Sequence, residues 1–160
     1  TVETGTAVRK TIVVEAPQER AFRVFTQGFA SWWPMDSHHI GEAPMKDAVI
    51  EQRAGGRWYE LGEDGSQTDW GRVLVWDPPR RLVIAWKING NWEYEPDVAK
   101  SSEVEILFTP QADGSTRVDL EHRFFDRLGP AGTAMSEMVG SPQGWGVTLS
   151  QFAEQAEKTK

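Results

Sequence analysis

The sequence contains no cysteine, so disulfide bonds, thiolate catalysis and cysteine-ligated metals are excluded. It has no apolar run long enough to span a bilayer, and its first residues lack the basic-then-apolar pattern of a secretory signal. We therefore expect a cytoplasmic protein that does not insert into membranes. Tyrosine is also scarce: two tyrosines stand beside eight tryptophans.

Basic residues are in deficit, with 17 Lys and Arg against 24 Asp and Glu, which gives a formal net charge of −7. Such a surface repels phosphate backbones, so we expect no nucleic-acid partner. A chain of 160 residues with 39% hydrophobic residues can bury a core. No repeat or linker divides it, and we expect one domain over residues 1–160.

Short runs of alternating polarity, separated by turn residues, predict seven strands. The runs cover residues 8–15, 49–53, 57–61, 70–76, 82–88, 103–110 and 116–124. Helical spacing over 18–30 predicts one helix or two short ones after the first strand, and an amphipathic helix that begins with Ser141 as N-cap ends the chain. Short connections make sequential strands antiparallel. The predicted fold is therefore α+β, with the final helix on one face of an antiparallel sheet.

The alternation of side chains along a strand predicts which residues face the helix. On the last strand His122 and Phe124 point inward, and Ile106 faces the same side from the strand before it. Which face of the strand at 57–61 points inward is ambiguous, because one face carries a carboxylate beside a tryptophan and the other carries an arginine beside a tyrosine. We favour Trp58 and Glu60 inward.

Five motifs follow one another over nearly the whole chain: "WWP", "GGRWYE", "DGS…WGRVLVWDPPRRLVIAW", "TRVDLEHR" and "GWGVTLSQF". Together they resemble the bacterial heat shock protein 90 ATPase activator homologue family. That family belongs to the START-like superfamily, also called SRPBCC or helix-grip. The resemblance implies a curved seven-stranded antiparallel sheet around a long C-terminal helix, with one or two short helices after strand 1. It also implies a cavity for an apolar ligand between sheet and helix.

The tryptophans either fill the core or line that cavity. Many large rings with few tyrosine hydroxyls favour apolar walls, which suit a small hydrophobic or aromatic ligand. Trp76, beside a proline turn, is expected to be structural, and Trp92 to lie at a rim. We expect no cofactor. The predicted pocket consists of Trp33, Trp58, Glu60, Trp86, Ile106, His122, Phe124, Trp145 and Leu149.

Glu60 and His122 are the candidate catalytic residues, because they are the one ionisable pair that the alternation places inside together. A cavity can tune such groups for general acid–base catalysis. The alternative is that each makes a structural hydrogen bond.

The stretch "DSHHIGE" holds Asp36, His38, His39 and Glu42. Adjacent histidines in a loop are an incomplete ligand set, so we expect no metal site.

Three functions fit this sequence. The first is a non-enzymatic domain that binds a hydrophobic or aromatic molecule. The second is a chaperone-interacting module that resembles the activator's C-terminal domain. The third is a small-molecule cyclase, lyase or hydrolase that uses Glu60 or His122. The sequence is compatible with a homodimer as well as a monomer.

Overall fold

A computed structural model describes residues 7–33, 43–88, 94–97 and 100–158. The strands are β1 (Val8–Val14), β2 (Met45–Ile50), β3 (Arg57–Gly62), β4 (Gln67–Asp77), β5 (Arg81–Trp86), β6 (Ser102–Pro110) and β7 (Thr116–Arg123). The helices are α1 (Gln18–Thr26), α2 (Phe29–Trp32), α3 (Gly132–Gly140) and α4 (Val147–Lys158). A 3-10 segment, Phe125–Ala131, precedes α3, and one wide π-type turn, Pro142–Gly146, precedes α4.

The seven strands form one antiparallel sheet in the order β1-β7-β6-β5-β4-β3-β2. Strands β2 to β7 therefore make a meander, and β1 pairs with the last strand. The sheet, the short helices after β1 and the C-terminal helix confirm the predicted α+β, helix-grip architecture. Among the described helices, none combines the length and the apolar character that a membrane crossing requires.

The helical region predicted over 18–30 is divided into α1 and α2 at Gly28. A Cβ atom on Gly28 would lie 2.9 Å from the carbonyl oxygen of Val24. Glycine permits this close approach, and the chain turns so that Phe25 of α1 and Phe29 of α2 are both buried.

The predicted limits of the second strand were wrong. The strand is Met45–Ile50, and residues 51–56 form the turn to β3. Gly55 in this turn has φ +83°, a left-handed conformation that favours glycine. The Glu51 carboxylate accepts a hydrogen bond from the Arg57 backbone N–H at 2.7 Å, which closes the turn.

The start of the final helix also differs from the prediction. Regular α-helix begins at Val147, not directly after Ser141, because Gly144 has a non-helical ψ of −119°. The Thr148 hydroxyl donates to the Gly144 carbonyl oxygen at 3.1 Å and joins the wide turn to the helix.

Phe124 does not face inward, so its assignment to the pocket was wrong. Strand β7 ends at Arg123, and Phe124 has φ +66°, which breaks the alternation of the strand. Its ring is 37% exposed, and the guanidinium of Arg127 lies 4.3 Å from the ring centroid. Phe125 is buried instead and contacts the His122 ring, with centroids 4.5 Å apart.

The outer face of the sheet carries a network of charges. The Arg123 guanidinium contacts the carboxylates of Glu103, Glu105 and Glu121 at 2.9–3.3 Å, and Arg81 reaches Glu105 at 2.7 Å. These two arginines lower the pKa of Glu105 against the opposing effect of its partial burial. The outer face is thus polar, and the apolar core lies on the inner face.

One half of the inner face is closed by helices α1, α2 and α4. The rings there have centroids 4.9–5.8 Å apart, mostly edge to face. We call this group the helix cluster; it consists of Phe22, Phe25, Trp32, Trp76, Phe108 and Phe152.

Candidate functional site

Five tryptophans form a closed circuit in the other half of the inner face. Each ring contacts the next, and successive centroids lie 5.2, 5.3, 5.6, 5.9 and 6.3 Å apart. All five rings are at most 7% exposed. We call this group the tryptophan cluster; in order around the circuit it consists of Trp33, Trp70, Trp58, Trp86 and Trp145.

The two clusters adjoin at α2, where the Trp32 and Trp33 ring centroids lie 5.9 Å apart and Phe29 contacts both rings, and they extend along the strands in opposite directions. Ser102, beside Trp86, begins β6, whereas Phe108 of the helix cluster lies six residues further along the same strand. At about 3.3 Å per residue, Ser102 and Phe108 lie roughly 20 Å apart along β6. The tryptophan cluster includes Trp145 of the Pro142–Gly146 turn, which directly precedes α4.

Gly71 allows the rings of neighbouring strands to meet. Trp58 of β3 and Trp86 of β5 both pair with Gly71 of β4, so the three residues form one row across the sheet. A Cβ atom on Gly71 would lie 1.9 Å from the Ala85 carbonyl oxygen and 3.2 Å from the Trp58 ring. The missing side chain leaves room for the two indoles to approach across β4.

Trp70 joins the cluster through a register shift. Trp58 pairs with Gly71, but the next residue, Tyr59, pairs with Asp69, so Trp70 is an extra residue in β4. Such a β-bulge interrupts the alternation of a strand. As a result both Trp70 and Gly71 are buried on the inner side.

His122 is held at both ring nitrogens. The Trp145 indole N–H lies 3.1 Å from Nδ1, and the Ser102 hydroxyl lies 2.7 Å from Nε2. An indole nitrogen only donates, so Nδ1 accepts, and the proton of the neutral imidazole is on Nε2. Complete burial lowers the pKa of His122 from 6.5 to about 3. The residue is therefore a neutral anchor between β7, β6 and the turn before α4.

This burial predicts a pH dependence of stability. Because the pKa of His122 is lower in the folded than in the unfolded protein, protons bind the unfolded chain more tightly. The stabilisation is complete above about pH 6.5 and is lost as the pH falls towards 3. We expect the free energy of unfolding to decrease by about 1.4 kcal/mol per pH unit in this window from this residue.

Urea unfolding at several pH values in the window measures the slope in the parent and in His122→Gln. Carboxylates titrate in both proteins, so the difference between their slopes isolates the histidine. Equal slopes, or an imidazole that titrates near pH 6 when followed by NMR in the folded parent, would contradict the assignment.

Glu60 faces inward from β3 together with Trp58, as favoured from the sequence; both are at most 1% exposed. Its Oε1 accepts a hydrogen bond of 2.7 Å from the indole N–H of Trp70. The carboxylate is thus attached directly to the tryptophan cluster. Glu60 and His122 hold different tryptophans of the circuit.

The predicted pocket residues therefore lie in three places: in the tryptophan cluster with its hydrogen-bond partners, elsewhere in the apolar core, and outside the core. Four are tryptophans of the cluster, and Glu60 and His122 are hydrogen-bonded to it. Ile106 and Leu149 lie in the apolar core, and Phe124 is outside. Sequence reasoning missed Trp70 and also Phe29, whose ring stacks on Trp33 with centroids 4.9 Å apart.

The histidine stretch 36–42 and Trp92 lie outside the described residues. Within the described ranges, no three His, Asp or Glu side chains are grouped closely enough to hold a metal ion.

A family model described as "Activator of Hsp90 ATPase homolog 1-like protein" matches residues 15–157. The chain belongs to this family. A search of curated proteins found no match.

Two solved structures are similar to the chain in sequence as well as fold. "An anthrahydroquino-Gama-pyrone synthase Txn09 complexed with SUM" is 39% identical, with a TM-score of 0.66, and the match covers 96% of this chain and 99% of that one. The "self-sacrificing resistance protein, CalC from Micromonospora echinospora" is 34% identical, with a TM-score of 0.70, and the match covers 98% and 97%. Protein NE0264 from Nitrosomonas europaea, at 17% identity, TM-score 0.68 and coverage of 100% and 99%, shares the fold.

Proposed function

We propose that the protein binds an uncharged, planar, fused-ring aromatic molecule against the tryptophan cluster. The observation that carries this proposal is the gathering of five indoles into one closed circuit of ring contacts on the inner face. The helix cluster already supplies an aromatic core further along the strands. The indoles contact one another through ring faces and ring edges, and a fused-ring ligand can make the same kinds of contact with them.

The charge of the site favours an uncharged ligand. Glu60 lies inside the cluster through its bond to Trp70, and the chain has a net charge of −7. A buried anion would lose its hydration among the indole rings of the cluster. Fatty acids are therefore poorer candidates than neutral aromatic molecules.

One of the two similar structures supports the same ligand class. Txn09 is described as a synthase for an anthrahydroquinone-γ-pyrone, a compound of fused aromatic rings.

A docking role toward a chaperone finds less support on the described surface. The exposed large apolar residues lie on separate elements, and those with strand partners have charged neighbours. Val13 pairs with Arg117, and Leu107 lies between Arg81 and Asp119. A docking face would instead present a contiguous apolar patch.

Equilibrium dialysis with fluorene, phenanthrene and laurate tests the proposal. We expect the two aromatic compounds to bind and laurate to bind at least about tenfold more weakly, a difference of about 1.4 kcal/mol. A ligand at tenfold its dissociation constant should stabilise the fold by about 1.4 kcal/mol in a thermal-shift assay.

Substitution of one indole locates the binding. Trp58→Leu should weaken the binding of fluorene by about tenfold or more, since it removes a ring from the cluster. Trp76→Leu is the matched control, because Trp76 packs on Phe22 at the opposite end of the sheet and should leave the affinity unchanged. Equal losses in the two variants would contradict the location, and failure of both aromatic compounds to bind would contradict the function.

A second candidate is an acid–base reaction on the bound molecule, such as a ring closure. The 39% identity to a synthase over almost the whole chain favours it. Glu60 is the residue that could move the proton, since both nitrogens of His122 are occupied by Trp145 and Ser102. To test this candidate, the protein is incubated with hydroxylated aromatic ketones, and mass spectrometry and chromatography are used to look for an isomeric product. We expect the parent to form this product and Glu60→Gln not to form it. A product formed equally by that variant would exclude Glu60.

A further inference from the structure

Two of the indole N–H groups in the tryptophan cluster find no acceptor among the described residues. The N–H of Trp70 is bound by Glu60 and that of Trp145 by His122. For Trp58 and Trp86, the described residues provide no hydrogen-bond partner to the indole nitrogen. Both nitrogens are buried, and the side chains belong to residues that are 0% and 5% exposed.

Buried donors without a partner are rare in native proteins because desolvation of the N–H is not compensated. In this cluster the protein provides an acceptor from its own side chains twice, once with a carboxylate and once with an imidazole. The two residues are neighbours in the circuit: the Trp58 and Trp86 ring centroids lie 5.6 Å apart, across the space left by Gly71.

We propose that the ligand carries a carbonyl oxygen that accepts hydrogen bonds from the indole N–H groups of Trp58 and Trp86. This inference rests on the proposed function and specifies its ligand as an aromatic ketone, quinone or pyranone. A carbonyl oxygen has two lone pairs and can accept from two donors at once. It also satisfies them without a negative charge, whose burial among the indole rings would cost its hydration.

The matched probes are 9-fluorenone and fluorene, which are planar tricycles that differ by one carbonyl in place of one methylene. We expect 9-fluorenone to bind about tenfold more tightly in equilibrium dialysis, since it satisfies donors that fluorene leaves unpaired. Trp86→Phe and Trp58→Phe remove one donor each, and each should reduce the tenfold preference. Trp76→Phe, at the other end of the sheet, should preserve it.

Indole NMR signals of the ¹⁵N-tryptophan-labelled parent provide a readout that does not depend on the variants. The difference in shift between the two complexes removes most of the ring-current effect that they share. We expect the N–H protons of Trp58 and Trp86 to move downfield with 9-fluorenone relative to fluorene. Those of Trp70 and Trp145, already bound by Glu60 and His122, should differ little between the two complexes and serve as internal controls.

The outcomes separate the two proposals. Equal affinities together with equal shifts for the four indoles would overturn the carbonyl inference while binding to the tryptophan cluster stands. If neither probe binds, the proposed function fails and this inference fails with it.

Discussion

Replacement of Phe152 by alanine is expected to lower the free energy of unfolding by about 3–5 kcal/mol, the usual cost of a Phe-to-Ala cavity in a packed core. Phe152 is 0% exposed and brings α4 against the sheet. Its ring lies 5.1 Å from that of Phe25 and 5.4 Å from that of Trp32. The loss removes the ring contacts of α4 with both short helices, α1 and α2. Urea unfolding followed by circular dichroism measures it.

Phe124→Ala is the control for this substitution, because it removes the same atoms from a ring that is 37% exposed. Its cost should be below about 1 kcal/mol, which reflects a surface position and the contact with Arg127. If Phe152→Ala were as stable as the parent, α4 would not be packed on the sheet as described.

Gly71→Ala is expected to destabilise the protein by about 3 kcal/mol, at the upper end of the usual cost of overpacking. The added Cβ would lie 1.9 Å from the Ala85 carbonyl oxygen, which belongs to the backbone of β5 and cannot rotate away. Strands β4 and β5 must separate to accommodate it. That movement also displaces Trp58 and Trp86, so the affinity for fluorene should fall in whatever fraction still folds.

Gly146→Ala makes the same chemical change where there is room. The nearest atom to its added Cβ is the Ser141 carbonyl oxygen at 3.6 Å, an ordinary contact distance. We expect a change of less than about 1 kcal/mol, since alanine is at least as favourable as glycine in a helical turn. Similar melting of the Gly71→Ala variant and the parent would show that β4 and β5 are further apart than described.

The sequence predicted the architecture because the sheet follows simple periodicity. Turn residues separate the strands, and alternation placed Trp58, Glu60 and His122 inside, where the structure has them. Motif order identified the family independently of that periodicity, and the family model confirms it. Whether these residues bind a ligand stays a prediction.

The errors arose where the backbone departs from regular alternation. Trp70 was missed because the bulge in β4 adds one residue, which places Trp70 and Gly71 on the inner side together. The glycine within a predicted strand was the available signal, since glycine there often marks a bulge. Phe124 was misplaced because a left-handed φ is uncommon for a bulky aromatic residue, and no sequence pattern predicted this conformation.

The circuit of five indoles has an optical consequence. Rings whose centroids lie 5.2–6.3 Å apart exchange electronic excitation much faster than an isolated indole emits light. A photon absorbed by any one of the five is therefore shared by all of them, and the emitted light loses its polarisation even though the rings are held rigidly in the core. A molecule that quenches one ring therefore lowers the emission of all five. A single contact has a large effect on the intrinsic emission of this protein, but the emission does not reveal which tryptophan makes that contact.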